Sequence, residues 1–148
     1  MDDFLNRLEA ARGDAREALE VVLERFDADT GTIHRLGEDG LLHLEAWAGH
    51  IPDELLPLIR TIPVGKGIAG LAVERGEPVD MCNLQTDASG DARPRAKETG
   101  VKGSICVPAK AGDRVVGALG IATLREREFQ AEEIEGLLSA ARFVAMAW

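Results

Sequence analysis

Apolar residues recur at spacings of three and four from Phe4 to Phe26: Phe4, Leu8, Ala11, Ala15, Leu19, Val22 and Phe26, with Asp, Glu and Arg between them. That is the period of an amphipathic helix over residues 2–26. Gly13 weakens its middle, which allows two shorter helices in its place, and Asp29-Thr30-Gly31 ends it. The period then drops to two. Residues 32–36 and 41–47 alternate on either side of Gly37-Glu38-Asp39-Gly40, which predicts a β-hairpin. Closing the hairpin across those four residues pairs Leu36 with Leu41, Ile33 with Leu44 and His34 with His43. Ile33, Leu42, Leu44 and Ala46 then form an apolar face, with His34, His43, Glu45 and Trp47 opposite.

Pro52-Asp53-Glu54 opens a short helix over residues 53–60, with acids in its first turn. Ile62-Pro63-Val64 leads into Gly65-Lys66-Gly67-Ile68-Ala69-Gly70 and a helix ending near Gly76, and residues 78–82 read as a strand. Residues 83–102 hold little apolar material and many turn formers, the pattern of a long functional loop. Two strands follow, 104–110 and 114–123, joined at Ala111-Gly112-Asp113. A last helix over 130–147 carries Ile134, Leu137, Leu138, Ala141, Val144, Ala145 and Trp148 along one stripe. Hairpin-linked strands with helices grouped at both ends predict an α+β domain around a mostly antiparallel sheet. No repeat or linker divides the 148 residues, so one domain over 1–148 is expected.

Composition narrows the function. No apolar run approaches the ~20 residues of a membrane span, and the acidic start lacks the form of a secretory signal, so a cytoplasmic protein is expected. The net charge of −9, with basic residues gathered only at Arg93, Arg95, Lys97 and Lys102, argues against direct nucleic-acid binding. Cys82 and Cys106 are too few for a disulfide framework or a closed zinc site and read as reduced thiols.

Three patterns suggest chemistry. Gly65–Gly70 matches the dinucleotide fingerprint G-x-G-x-x-G, but the proline-interrupted Thr61-Ile62-Pro63-Val64 before it is not the buried strand that fingerprint needs. The glycines are read instead as permitting a sharp helix entry and close packing. His34, His43 and Glu45 are the nearest approach to a metal cluster, yet three convergent ligands are not supplied, and two solvated histidines are expected. Neither cysteine has an evident base or cationic neighbour in the sequence, so both read as structural thiols. The nearly heptad stripe of the last helix suits a partner helix, hence a homodimer.

Ile62-Pro63-Val64-Gly65-Lys66-Gly67-Ile68-Ala69-Gly70 followed by Gly76-Glu77-Pro78-Val79 resembles the middle of GAF domains. So do Val107-Pro108-Ala109 with Gly112-Asp113-Arg114-Val115-Val116-Gly117-Ala118-Leu119-Gly120-Ile121, and the closing Phe129-Gln130-Ala131-Glu132-Glu133-Ile134. The order and spacing of these runs carry the resemblance from about residue 4 to the end. It implies a GAF/PAS-like fold: a six-stranded antiparallel sheet with the N- and C-terminal helices on one face, often a dimer interface. On the other face it implies a small-molecule pocket roofed by residues 53–75 and 83–102.

The resemblance implies a regulatory, signal-transducing sensor that passes ligand state to a partner or to an output domain outside this chain. Asn83 is followed by Leu84, and Glu133-Ile134 stands where an Asp-Glu pair would mark the cyclic-nucleotide branch, so cyclic nucleotides are not expected. The free methionine-R-sulfoxide reductase branch carries a cysteine in the glycine turn and more in the next loop. Here Ala69 fills the turn and residues 83–102 hold no cysteine, so no enzymatic activity is expected. No bilin-attachment or haem-ligand pattern can be placed, and the cofactor is unknown. The ligand contacts expected are Asn83, Asp87, Arg93, Ser104 and Cys106, with Arg93 suited to a carboxylate or phosphate. The competing readings are a ligand-free dimerisation or protein-interaction domain, and a thiol redox enzyme using Cys82 or Cys106.

Overall fold

A computed structural model describes residues 2–49, 51–81, 83, 85 and 100–148. The N-terminal helical stretch forms as two helices, α1 (Asp2–Ala10) and α2 (Ala15–Phe26). Asp14 is the reason for the break: its carboxylate accepts the Glu17 N–H at 3.1 Å and so caps α2 where a continuous helix would have run through. Strands β1 (Thr30–Leu36) and β2 (Leu41–Gly49) follow. A 3-10 turn at Asp53–Leu55 runs into the short helix α3 (Leu56–Ile59) and the edge strand β3 (Thr61–Pro63). Next come α4 (Gly67–Arg75), β4 (Val79–Met81), β5 (Gly103–Ala111), β6 (Arg114–Thr123) and α5 (Ala131–Ala145).

The six strands form one sheet in the order β3-β2-β1-β6-β5-β4, every adjacent pair antiparallel. Its first face carries Ile33, Ala46, Ala48, Ile105, Val107, Leu119 and Ile121, covered by Leu8, Leu19, Val22, Leu137 and Ala141 of the terminal helices. Its second face carries Leu42, Cys106, Ala118, Ala122, Val79 and Met81, covered by Ile68, Ala72 and Val73 of α4. The α+β fold expected from the order of elements is the one observed.

The hairpin register differs from the expected one. Gly37 N–H donates to Leu41 C=O at 2.8 Å, so the loop has three residues, Glu38-Asp39-Gly40, rather than four. Gly40 takes a left-handed φ of +79°, as the last residue of a three-residue hairpin loop does. Every partner near the turn shifts by one: Leu36 faces Leu42, Arg35 faces His43 and His34 faces Leu44. A bulge at Glu45 then advances the register again, so Ile33 faces Ala46. The single apolar face expected of this hairpin is therefore split. Leu42 faces α4, while Ile33 and Ala46 face the terminal helices.

The glycine-rich segment forms a helix entry, as read. Gly65 and Gly67 have φ of +88° and +68°, and a Cβ at Gly70 would collide with the Pro63 carbonyl. The strand before it is an antiparallel edge strand, so the parallel strand that feeds a dinucleotide-binding helix is absent here.

Candidate functional site

Directly paired residues of an antiparallel sheet point to the same face and alternate along each strand. Pairing thus aligns rows of side chains on the second face: Trp47–Thr32–Gly120–Cys106–Val79, flanked by Leu44–His34–Ala118–Pro108 and by Thr30–Ala122–Ser104–Met81. Past Val115 at its start, the central strand β6 offers this face the small residues Ala118, Gly120 and Ala122. A Cβ at Gly120 would stand 2.7 Å from Cys106 Sγ and 3.4 Å from Thr32 Oγ1, so the thiol and the hydroxyl lean together over the glycine. Trp47, 39% exposed, stands at the end of the same row. The result is a floor of small residues with a few polar atoms and an aromatic rim.

His34 is the most unusual group on this floor. It is 2% exposed, and its Nε2 lies 2.8 Å from the Ile59 carbonyl at the end of α3. A carbonyl only accepts, so Nε2 carries the proton and Nδ1 is a bare acceptor. Nδ1 is buried and has no hydrogen-bond partner among the described residues. Burial lowers the His34 pKa from its ordinary value; the Ile59 hydrogen bond opposes this and the nearby His43 adds to it. An unfilled buried acceptor of this kind costs a folded protein about 1–3 kcal/mol.

The depressed pKa gives stability a pH dependence. Above pH ~6.5 the ring is neutral whether the chain is folded or unfolded, and its contribution is fully present. As pH falls below that value, the unfolded chain takes up a proton that the folded chain refuses. Stability is then lost at up to about 1.4 kcal/mol per pH unit until the folded pKa is reached. Chemical denaturation between pH 7.5 and 5.5 should show this loss, and His34→Gln, which keeps a donor for Ile59, should flatten it.

The opposite face of the sheet has a cleft of about 190 Å³ between the α1–α2 elbow and the end of α5. Arg35 and Glu45 border it, and the Arg35 guanidinium lies 5.5 Å from the centre of the Trp148 ring.

A family model described as a GAF domain matches residues 15–148. The chain belongs to the GAF family. Among solved structures, this GAF domain is similar to that of an Acinetobacter phosphoenolpyruvate-protein phosphotransferase (TM-score 0.81, 16% identity, covering 99% of this chain and 90% of that one). It is also similar to the type II free methionine-R-sulfoxide reductase of Thermoplasma acidophilum (TM-score 0.73, 24% identity, 95% and 93% covered). A third likeness is the Neisseria meningitidis free methionine-R-sulfoxide reductase in complex with its substrate (TM-score 0.75, 18% identity, 97% and 85% covered). These likenesses concern the fold. No curated protein matches the chain.

Within this GAF domain the expected ligand contacts are only partly brought together. Ser104 and Cys106 share the second face, two residues apart on β5. Cys106 is buried, and burial pushes its thiol up to about 12. Asn83 is engaged locally: its amide donates to Glu126 at 2.6 Å, and its carbonyl oxygen accepts the Gln85 N–H at 3.0 Å. Asp87, Arg93 and Cys82 lie outside the described residues.

The expectation of two solvated, paired histidines is overturned for His34. The three-residue turn places it opposite Leu44 and under α3, while His43 pairs with Asp39 at 2.9 Å. Among the described residues, no three His, Cys, Asp or Glu side chains converge to hold a metal. None of the described helices is long and apolar enough to cross a membrane. The expected polar face already held His34 and Trp47; what the four-residue turn missed is that Leu42 and Leu44 share this face and that His34 is buried on it. The signal that could have set the register is Gly40, which suits the left-handed end of a three-residue turn.

Proposed function

We propose that this GAF domain is a non-enzymatic, cytoplasmic regulatory module that binds a small molecule on the second face of its sheet. In this reading it passes the bound state to a partner through the terminal helices, which also form a homodimer. The observation that carries the proposal is the buried Nδ1 acceptor of His34, without a partner among the described residues, on a floor of small residues beside Thr32 and Cys106. Binding sites of this kind pair an apolar surface with a few placed polar groups. Asn83, Asp87, Arg93, Ser104 and Cys106 are the other proposed contacts, Asn83 also donating to Glu126.

Reductases among the structural neighbours raise the thiol-enzyme reading. A thiol pushed up to about 12 by burial is protonated at neutral pH and is a poor nucleophile, which weighs against Cys106 in that role.

A thermal-shift screen against metabolites, nucleotides and cyclic nucleotides tests the proposal. One compound class should raise the melting temperature saturably, by the equivalent of about 2.7 kcal/mol at a hundredfold excess over Kd. Arg93→Ala should abolish that rise; an unchanged rise removes Arg93 from the site. No shift from any class, with a dimer lost on truncating α5, would replace the sensor with a ligand-free interaction domain.

A further inference from the structure

His34 differs from the other polar groups of the floor in having its hydrogen-bonding sense fixed. A hydroxyl such as Thr32 rotates to donate or accept as needed. The imidazole has no such freedom. The Ile59 carbonyl holds the proton on Nε2, and the lone pair of Nδ1 has no partner among the described residues, inside a residue that is only 2% exposed. Leu44 and Ala118 flank it across the sheet, and neither side chain can supply a hydrogen bond.

We propose that His34 is the hydrogen-bond-accepting anchor of the ligand site, and that the ligand meets it with an N–H or O–H group of a neutral small molecule. The proposal rests on the sensor reading given above and names its ligand chemistry. A carboxylate or phosphate oxygen at this position would face the Nδ1 lone pair, repelled unless the ring took up a proton. Burial opposes that protonation, as the lowered pKa of the ring shows. An ammonium group would supply donors but would be stripped of its water beside Leu44 and Ala118, at a higher cost than a neutral donor. An amide N–H, a ring N–H or a hydroxyl fills the acceptor without either cost.

The anchor also explains why a histidine stands at this position. Leucine at this position would satisfy the apolar neighbours, but it would leave Ile59 without its donor and the floor without an acceptor. Imidazole meets the first need with one nitrogen and offers the second nitrogen to the ligand.

The test uses the full chain labelled with 15N-histidine, with the resonances of His34 identified by their loss in His34→Gln. The chain has three histidines, so the spectra are simple. The probes are 2-pyrrolidinone against N-methyl-2-pyrrolidinone and phenol against anisole, pairs in which one donor is removed, together with acetate and inorganic phosphate. Trp47 fluorescence in a Trp148→Phe background gives an independent reading of binding on the same face. Free protein at pH 7.5 should show an unprotonated Nδ1 without a hydrogen bond. The donor probes should shift it saturably, their methylated partners should bind at least tenfold more weakly, and the anions should leave it unmoved. His34→Gln should erase the tenfold preference.

A hydrogen-bonded Nδ1 in the free protein would mean that a resident water already fills the acceptor, and would overturn the proposal. So would equal binding of the methylated partners, or a response to acetate or phosphate. Saturable quenching of Trp47 by the donor probes with no change at Nδ1 would overturn the anchor while leaving the sensor reading standing. Silence of both readouts for every probe would overturn the anchor, and the sensor reading would then stand or fall on the metabolite screen.

Discussion

Gly117→Ala is expected to destabilise the protein by about 3 kcal/mol, at the upper end of what overpacking costs. For a chain of this size that lowers the melting temperature by roughly 6–12 °C. Gly117 lies on β6 opposite Arg35 of β1, on the face covered by the terminal helices. A Cβ there would overlap the His34 carbonyl oxygen and stand 2.6 Å from the Trp148 ring. The ring can turn away; the carbonyl belongs to a neighbouring strand held by the sheet and cannot. Removing the ring in Gly117→Ala/Trp148→Ala should therefore recover only the smaller part of the loss. Thermal unfolding of the two variants measures both parts. A neutral Gly117→Ala would show that β1 and β6 do not approach as closely as described.

Arg127→Met is expected to cost about 2–3 kcal/mol, because one side chain satisfies three acceptors at once. The guanidinium donates to the Phe26 carbonyl, to the Asp27 carbonyl at 3.2 Å and to the Glu133 carboxylate, and it lies 4.7 Å over the Phe129 ring. Phe26 and Asp27 end α2, where carbonyls have no partner within the helix. Glu133 belongs to the first turn of α5 and accepts the Gln130 N–H at 3.0 Å. Arg127 thus joins the end of one covering helix to the start of the other. Methionine keeps much of the volume over Phe129 and removes every donor. Lysine should restore part of the loss, since it reaches one acceptor but cannot span three.

The same variant has a second readout. Burial works to raise the Glu133 carboxyl, but hydrogen bonds from Gln130 and Arg127 and the charges of Arg127 and Arg125 outweigh it and hold the pKa below its ordinary value. A depressed carboxyl contributes stability above its unfolded pKa and loses it as pH falls through the folded one. In Arg127→Met the Glu133 pKa should rise. Packing loss alone would leave that titration where it is.

The sequence by itself determined the kinds and order of the elements except the edge strand β3, three residues ending in proline and too short to show a period. Helical and strand periods are written into neighbouring residues, so the 3.6-residue recurrence from Phe4 to Phe26 and the alternation in 32–36 and 41–47 could be read locally. Even the break at Gly13 was open to view, although the capping carboxylate of Asp14 is what fixes it. The run from Ile62 to Gly70 and the closing helix identified the family, because their order and spacing survive in the primary structure.

What the tertiary structure decided is which side of the sheet each residue faces. Taking the turn as four residues instead of three moved every pairing near it by one. The bulge at Glu45 then divided one apolar set between two faces. That difference turned His34 from a solvated partner of His43 into a buried acceptor under Ile59. The floor of the candidate site joins Thr32, Gly120 and Cys106, residues up to 88 positions apart in the chain. No local pattern records such a row: it exists only once β1, β6 and β5 pair in register, and the pairing is set by the turns, the bulge and the packing of both faces together.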